Sequence, residues 1–315
     1  MFDHPYDVLF SLYRNLEQND PSALVVVTET IGGSIRAPGA IMAVSPSGEA
    51  VGYVSNGCID ANLIFQAQEA LKAGKSTRVT YGAGSPFKDI KLPCGGSITL
   101  AIIPVRDKKR LKKLLAELDA RKPCCLEVGL DGDIKTSDRE PVNSRWLAAD
   151  TFAIRYMPKL ALHIAGVGAE MVALARLSQA AGFHVEAYSS DGSTLDRVAQ
   201  IGEVPAHRLT TPDKPPPMAL DPYAAFILMF HDHNWEISLL DAAIRQGPFY
   251  IGALGSRKTH ASRCSQLLDL GHGQDALDRI HGPIGLIPSL RDASMVAVSA
   301  LAEIVEHYRS KVEPQ

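Results

Sequence analysis

The stretch LHIAGVGAEM, from Leu162 to Met171, decides the fold of the second half of the chain. An apolar run leads into a turn with two glycines, and a helical pattern follows. Gly166 allows a tight bend, and Gly168 lets an anionic group approach the amides at the helix start. The next apolar run, His184–Tyr188, completes a strand–helix–strand unit, which predicts a parallel sheet with a right-handed crossover.

This turn is a partial match to a dinucleotide-binding motif. Met171 stands where the usual pattern has its third glycine, although the strand–turn–helix context is right. Asp191 follows the second strand and is placed to accept a hydrogen bond from a ribose hydroxyl. We therefore predict nucleotide or pterin-nucleotide binding. A tight turn with no ligand is the alternative, because a fold does not decide function.

Two further segments lie where apolar strands end. GALGSR, residues 252–257, begins a helix, and its amides together with Ser256 and Arg257 suit an anionic ligand. A plain turn with a surface arginine is the alternative. His231, Asp232 and His233 follow the strand predicted for 224–230. Alternating side chains point to opposite sides, which disfavours zinc held by both histidines, so we expect one of them to line the ligand crevice.

Two cysteines of the first half lie in glycine-flanked loops. Asn56 and Gly57 precede Cys58, and Gly95 and Gly96 follow Cys94. A thiolate can ligate a soft metal or carry persulfide sulfur, and we expect Cys58 at the start of a helix. The alternative is that each thiol is a small buried hydrophobe.

The same half offers a cation, and the remaining cysteines are predicted to be structural. Arg36 stands in GGSIRAPG, residues 32–39, where a guanidinium among glycines is an anion ligand or part of a surface turn. Cys124 and Cys125 lie in a predicted strand, and Cys264 lies in a predicted helix. The odd total of five cysteines fits free thiols in a reducing cytoplasm.

The course of the chain indicates two α/β domains, 1–157 and 158–315, divided near Met157 and Pro158. Predicted first-half helices cover 6–19, 58–73 and 106–120, and strands cover 23–30, 40–44, 50–54, 76–81, 97–105, 124–130 and 151–156. A polar stretch, 131–145, is predicted to be a loop. Predicted second-half strands cover 160–165, 184–188, 224–230 and 249–253, and helices cover 169–181, 236–245, 259–270 and 292–308.

The composition is that of an ordinary globular protein. The 315 residues are 46% hydrophobic and 21% charged, and the net charge of −3 gives no reason to expect a nucleic-acid partner. Leucines at helical spacing place the basic run 106–113 on a solvated helix face. No segment approaches the ~18 apolar residues of a membrane span, and the N-terminus lacks signal-peptide features. We therefore expect a cytoplasmic protein.

These motifs together resemble those of the XdhC/CoxI family, the xanthine dehydrogenase accessory proteins. The N-terminal matches are GGSIRAPGAIM (32–42), SNGCID (55–60) and PCGGSI (93–98). The C-terminal matches are LHIAGVGAEM, FHDH, IGALGSRKT, HGPIGL (281–286) and VAVSALAEI (296–304). The resemblance implies a mixed α/β N-terminal domain followed by a Rossmann-like parallel-sheet domain.

The resemblance also implies a function. A molybdenum-cofactor chaperone would bind and protect the cofactor, with or without an added nucleotide. It would assist sulfuration by a cysteine desulfurase and insert the cofactor into a xanthine dehydrogenase-like apoenzyme. Such a protein is an accessory factor rather than an enzyme. Cys58 and Cys94 would meet molybdenum or sulfur. The cofactor-binding residues carried over are Ser34, Arg36, Cys58, Cys94, Gly166, Gly168, His231, Ser256 and Arg257.

Some positions depart from the family pattern, and other functions stay open. Asn56 and Pro93 replace glycines, Asp292 and Ala293 replace a Thr-Pro pair, and the acidic residue after the histidine motif is Glu236. One alternative is an NAD(P)-dependent oxidoreductase, and another is a module that senses a nucleotide or redox state. A homodimer is compatible with the sequence but is not indicated by any residue pattern.

Overall fold

The computed structural model describes residues 4–32, 36–55, 57–87, 92, 95–137, 143–230 and 232–312. The chain divides into two compact units, Met1–Pro158 and Lys159–Gln315, each of which is described by itself.

The first unit is built on an antiparallel sheet whose described strands follow the order β3-β2-β1-β5-β4. The central strand is apolar on both faces, which predicts burial on both sides. One face of the sheet packs against the helix Asp60–Ala73, called α2. The other face packs against the helices Pro5–Glu17, called α1, and Lys108–Asp119, called α3. The strands confirm the predicted apolar runs: β1 Ser22–Ile31, β2 Ile41–Val44, β3 Ala50–Gly52, β4 Thr77–Gly82 and β5 Ser97–Val105.

A second antiparallel sheet in this unit has the described order β7-β6-β9-β8, and it shares a core with α1 and α3. Two of its strands correct the loop predicted for 131–145. They are short and largely solvent-facing, with Ile134 the buried residue of β7, so no apolar alternation marks them. The bounds are β6 Cys124–Gly129, β7 Ile134–Ser137, β8 Arg145–Trp146 and β9 Thr151–Tyr156.

The second unit contains a parallel sheet with the described strand order β12-β11-β10-β13-β14-β15. This is the order of a Rossmann-like sheet. The strands β11 and β12 are added on one side of β10, and β13 to β15 are added on its other side, so the strand order reverses between β10 and β13. The predicted Rossmann-like class is confirmed. The bounds are β10 Ala161–Gly166, β11 His184–Ser189, β12 Ala206–Arg208, β13 Ala224–Met229, β14 Tyr250–Ala253 and β15 Ile280–His281.

The helices of both units agree with the apolar spacing, and additional ones appear in the second unit. Helices α5 and α8 and the short edge strands β12 and β15 were not predicted, because each is short. The helices are α1 Pro5–Glu17, α2 Asp60–Ala73, α3 Lys108–Asp119, α4 Ala169–Ala180, α5 Gly192–Ala199, α6 Glu236–Gln246, α7 Arg257–Asp269, α8 Gln274–Leu277 and α9 Ala293–Lys311. Within the described ranges, no helix is both long enough and apolar enough to cross a bilayer.

The long last helix, α9, begins with the cap that its sequence predicts. The Asp292 carboxylate accepts hydrogen bonds from the Ser294 and Met295 amides, both at 3.0 Å. These bonds satisfy two amides that have no partner within the helix.

We expect Asp292→Ala to lower the free energy of unfolding by about 1 kcal/mol, because the two first-turn amides lose their acceptor. Asp292→Asn keeps an acceptor oxygen and should recover most of this loss. Urea unfolding followed by circular dichroism measures both variants. Equal stability of Asp292→Ala and wild type would contradict this role of the cap.

Candidate functional site

In the first unit, the segments that carry the predicted ligands leave the sheet at the same end. Strands β1, β3 and β4 finish there, and β2 and β5 begin there, as the register pairs Ile31 with Ser97, Gly82 with Ser97, and Met42 with Gly52. We call this the loop end of the sheet. The connections that contain Arg36, Cys58 and Cys94 therefore all start from the loop end.

Glycines hold two of these connections close together. A Cβ on Gly96 would overlap the Ile31 carbonyl, and one on Gly82 would overlap the Gly96 carbonyl. A Cβ on Gly32 would lie 3.2 Å from the Gly96 Cα. The glycines thus serve backbone–backbone approach at the bases of the loops, which a side chain would prevent.

The Arg36 side chain is partly fixed at the loop end. Its guanidinium carbon lies 4.5 Å from the centre of the Tyr53 ring, which is a cation–π contact. Tyr53 directly follows β3 and precedes the Cys58 turn. The Arg36 guanidinium therefore packs against the chain segment that leads from β3 to Cys58. Ser34, predicted with Arg36, lies outside the described residues.

Cys58 is exposed, and its turn is organised by Ser55. The Ser55 hydroxyl donates to the Asp60 carboxylate and accepts from the Gly57 amide at 3.2 Å. Helix α2 begins at Asp60, so Cys58 lies in the turn before the helix rather than in its first position. The exposed side chain argues against the alternative of a buried hydrophobe for this residue.

The other four cysteines differ in their surroundings. Cys94 lies outside the described residues, while the flanking Gly95 amide donates to the Leu92 carbonyl at 3.0 Å. Cys124 and Cys125 are buried in β6. Burial raises the pKa of Cys124 to about 12, so its thiol is un-ionised near neutral pH. Cys264 is half-buried in α7.

In the second unit, Gly166 lies at the end of β10 and directly beside β13. A Cβ there would overlap the Met229 carbonyl, and the next amide, that of Val167, donates to the same carbonyl at 3.1 Å. Glycine is required for the close approach of two strands, a reason that adds to the tight bend predicted from the sequence.

Gly168 caps α4 and adopts a φ of +90°, which favours glycine. Its own amide donates to the Thr194 hydroxyl at 3.0 Å, and Thr194 donates in turn to the Asp191 carboxylate at 2.7 Å. Thr194 therefore links the glycine turn to the predicted ribose acceptor. The first-turn amides of α4, which receive no side-chain cap from Gly168, are the donors left for an anion.

Asp191 is the N-cap of α5. One of its oxygens, Oδ2, accepts from the Thr194 amide and from the Ser193 hydroxyl, each at 2.7 Å. Hydrogen bonds from Thr194, and next from Ser193, lower the pKa of Asp191 to about 2. Because these bonds all end on Oδ2, the predicted ribose contact falls to the other oxygen, Oδ1.

A carboxylate stands at the open side of the glycine turn. The nearest atom to a Cβ on Gly168 would be Glu170 Oε2, at 3.7 Å. Backbone approach is therefore sterically open at this turn. The charge of Glu170 opposes a phosphate there, while the amides of α4 favour one.

The 252–257 segment combines a helix cap with a buried arginine. Ser256 caps α7 and accepts from the Thr259 amide at 3.1 Å, while Arg257 is exposed. Arg263 is buried, and its Nε donates to Glu236 Oε2 at 2.7 Å. Among the described residues its Nη1 finds no hydrogen-bond partner, and it would lie 3.3 Å from a Cβ on Gly255. This nitrogen is therefore a buried donor beside the glycine turn.

The histidine motif is described only in part. His231 lies outside the described residues, and so does the side chain of His233. The Asp232 carboxylate accepts from the Asn234 amide at 3.1 Å. The ring of Trp235 stacks on that of Phe230, with centroids 6.0 Å apart. Glu236, the acidic residue after the motif, is buried and paired with Arg263.

Comparison with known proteins adds to this geometry. The family profile described as "XdhC Rossmann domain" matches residues 162–304, and that described as "XdhC and CoxI family" matches residues 15–82. The molybdenum cofactor insertion chaperone PaoD of Escherichia coli K12 is 36% identical over 90% of this chain and 82% of its own length. The chain belongs to the XdhC and CoxI family.

Two further matches cover more than nine tenths of this XdhC-family chain. A protein of Bacillus subtilis, named as a probable subunit of xanthine dehydrogenase, is 24% identical over 92% of this chain and 94% of its own. A crystal structure described as a xanthine dehydrogenase from Bacillus halodurans matches with a TM-score of 0.76 and 22% identity, covering 96% of each chain. The second match shows that the fold is shared.

Sequence reasoning missed three residues of the XdhC Rossmann domain that shape the candidate site. Thr194 joins the glycine turn to Asp191, Arg263 points to Gly255, and Glu170 faces Gly168. Glu170 lies within the quoted motif, so its charge was visible in the sequence. The partners of Thr194 and Arg263 depend on tertiary contacts that no spacing reveals.

We expect the stabilising effect of the Asp191 charge on this XdhC-family protein to disappear in acid. The pKa of this carboxyl is lowered from 3.8 to about 2 on folding, so the stabilisation is present above about pH 4 and is lost as pH falls through about 2. Melting temperatures of wild type and Asp191→Asn should therefore converge from about pH 5 to about pH 2. Asp196→Asn, an exposed change on the same helix, is the control. A constant difference between wild type and Asp191→Asn would contradict the role of the charge.

Proposed function

We propose that this protein is a molybdenum-cofactor chaperone. It binds the cofactor, protects it and delivers it to a xanthine dehydrogenase-like molybdenum hydroxylase. The observation that carries the proposal is the joint start of the Arg36, Cys58 and Cys94 connections at the loop end of one sheet. The chaperone named among its relatives supports the same role.

The loop end suits the metal-bearing part of the cofactor. Cys58 is exposed, so its sulfur can reach a ligand that arrives from solvent. A thiolate binds soft metals or holds persulfide sulfur, and Arg36 adds a positive charge. We propose that Ser34, Arg36, Cys58 and Cys94 contact the cofactor there, and that the two thiols meet molybdenum or the sulfur delivered to it.

The second unit suits the anionic phosphate of the cofactor. The first turn of α4 supplies amides, Gly168 leaves the backbone accessible, and Arg263 Nη1 adds an unpaired donor near the start of α7. We propose that Gly166, Gly168, Asp191, His231, Ser256 and Arg257 form the nucleotide or phosphate subsite. Ser256 already caps α7, so its part is to hold that helix start in place.

The proposed role requires protein partners. A cysteine desulfurase supplies sulfur before delivery, and the target apoenzyme receives the cofactor. We place this exchange in the cytoplasm. A homodimer is also proposed, since α9 and the segment before it expose an apolar stripe made of Leu286, Ile287, Met295, Val298 and Val305. A contiguous exposed apolar surface of this kind is typical of protein–protein contact sites.

An NAD(P)-dependent oxidoreductase is the second candidate, and the strand order of the second unit favours it. Dinucleotides bind at the point where this order reverses, which lies between β10 and β13. The missing third glycine and the exposed thiol of the other unit argue against it. Incubation with NADPH separates the two, because an oxidoreductase gives a substrate-dependent loss of nicotinamide absorbance and a chaperone does not.

Cys58→Ala should weaken molybdenum retention on the order of tenfold or more, because the metal loses a sulfur contact. The protein is loaded with molybdopterin cofactor and desalted, and molybdenum is then measured by mass spectrometry. Cys264→Ala, which changes a thiol in the other unit, is the matched control. An unchanged melting temperature is expected for Cys58→Ala, since the side chain is exposed. Equal molybdenum in wild type and Cys58→Ala would refute the proposed contact.

Glu170→Gln should strengthen binding of the anionic cofactor, because a carboxylate near the phosphate subsite is neutralised. The expected gain in binding free energy is about 1 kcal/mol, roughly fivefold in affinity, which is typical of removing one like charge near the protein surface. Calorimetric titration with molybdopterin at two salt concentrations measures it, and the gain should shrink at high salt. Glu203→Gln, at an exposed position of the second unit, is the control. Unaltered affinity in Glu170→Gln would place the phosphate away from the Gly168 turn.

A further inference from the structure

Two imidazoles and a carboxylate meet between the last strand and the last helix of the second unit. His281 ends β15, while Glu303 and His307 lie one turn apart on the same face of α9. Each of the three side chains offers a ligand atom, and these atoms all lie within 4.8 Å of one another. None of the three residues belongs to the His231 motif or to the Cys58 and Cys94 loops.

We propose that His281, Glu303 and His307 bind one divalent transition-metal ion, zinc foremost. Two histidines and one glutamate form a donor set that zinc uses in proteins, at ligand distances of about 2.0–2.2 Å. At this separation, rotations of the side chains alone would bring the three donor atoms onto one ion. Neither Cys58 nor the Gly168 turn takes part, so zinc binding at this cluster does not require binding of the molybdenum cofactor.

The environment of Glu303 calls for a cation. Its side chain is 11% exposed, and within the described ranges no lysine or arginine forms an ion pair with it. One oxygen accepts from the Gly285 amide, and the other lies 3.6 Å from His281 Nδ1. A nearly buried carboxylate without a permanent positive partner is costly, and a metal ion supplies that charge.

The first histidine is held in place by an aromatic ring. Tyr250 stacks on His281 with centroids 4.7 Å apart and planes 7° from parallel. Gly252 makes this stacking possible, because a Cβ there would lie 2.6 Å from the Tyr250 ring. Contacts around a ligand that fix its orientation are a usual part of metal sites.

Solvent has access to the cluster, and one nearby charge opposes a cation. His281 is 24% exposed at its side chain, and His307 is also part-exposed, so an ion can enter and a water molecule can complete its coordination. Lys311 lies on the next turn of α9, where its ammonium donates to the Phe249 carbonyl at 3.3 Å. The Glu303 carboxylate, itself one of the three donors, offsets that charge.

A bound ion would fasten the C-terminal half of α9 to β15. The expected result is therefore both stoichiometric binding and a higher melting temperature, because a ligand that binds the folded state alone stabilises it. The full chain with Cys58→Ser, Cys94→Ser and Cys264→Ser is used as the reference, so that neither the loop thiols nor the Cys264–His260 pair can hold zinc. It is stripped with a chelator, incubated with zinc, desalted and analysed by elemental mass spectrometry.

One zinc per reference chain is expected, with a higher melting temperature in zinc than in magnesium. His307→Ala and Glu303→Gln should each weaken zinc binding on the order of a hundredfold and abolish the zinc-dependent stabilisation. Glu303→Gln retains the acceptor for the Gly285 amide and so guards against simple unfolding. His184→Ala, at an exposed histidine elsewhere in the unit, should bind zinc like the reference.

Substituting cobalt for zinc gives a direct readout of the ligands, because a low-symmetry site with nitrogen and oxygen donors produces visible absorption bands. These bands should appear in the reference and in His184→Ala, and should be lost in His307→Ala. Absence of zinc from the reference, or equal zinc in the reference and in both cluster variants, would overturn the inference. Either result leaves molybdenum retention by wild type unaffected, so the two proposals fail separately.

Discussion

The second unit depends on the close contact between the carboxyl ends of β10 and β13. The Val167 amide donates to the Met229 carbonyl, and Gly166 has no Cβ to keep the strands apart. This contact joins the two halves of the sheet where its strand order reverses. Because α4 starts directly after it, the same contact fixes where the helix amides point. A larger side chain at Gly166 would therefore disturb the sheet and the candidate site together.

Much of this architecture was predictable from local pattern. The unbroken apolar runs of β1, β10 and β13 predicted buried strands, and Asp292 predicted the start of α9. What could not be predicted were short edge elements such as β7 and β12, whose residues carry little apolar alternation. The predicted start of α2 at Cys58 was two residues early, since the acidic residue that favours the first turn is Asp60.

The candidate site was predictable in its positions but less so in its contacts. Gly168 and Asp191 were identified from the strand–turn–helix order, yet their link through Thr194 arises from side chains that meet only in the folded chain. Arg263 could not be found at all by spacing, because its partner Glu236 lies on another helix. Glu236, Glu170 and Glu303 also show how one residue type takes different roles: paired with arginine, close to a glycine turn, or grouped with imidazoles.

The turn between β2 and β3 has a practical use that follows from the direction of the strands. Its tip, Pro46 and Ser47, is exposed and lies at the end of the sheet opposite to the loop end. A fluorophore or a surface linker attached at Ser47 would stand clear of Arg36 and Cys58. The protein could thus be immobilised or observed as single molecules while the segments that contain Arg36 and Cys58 remain accessible.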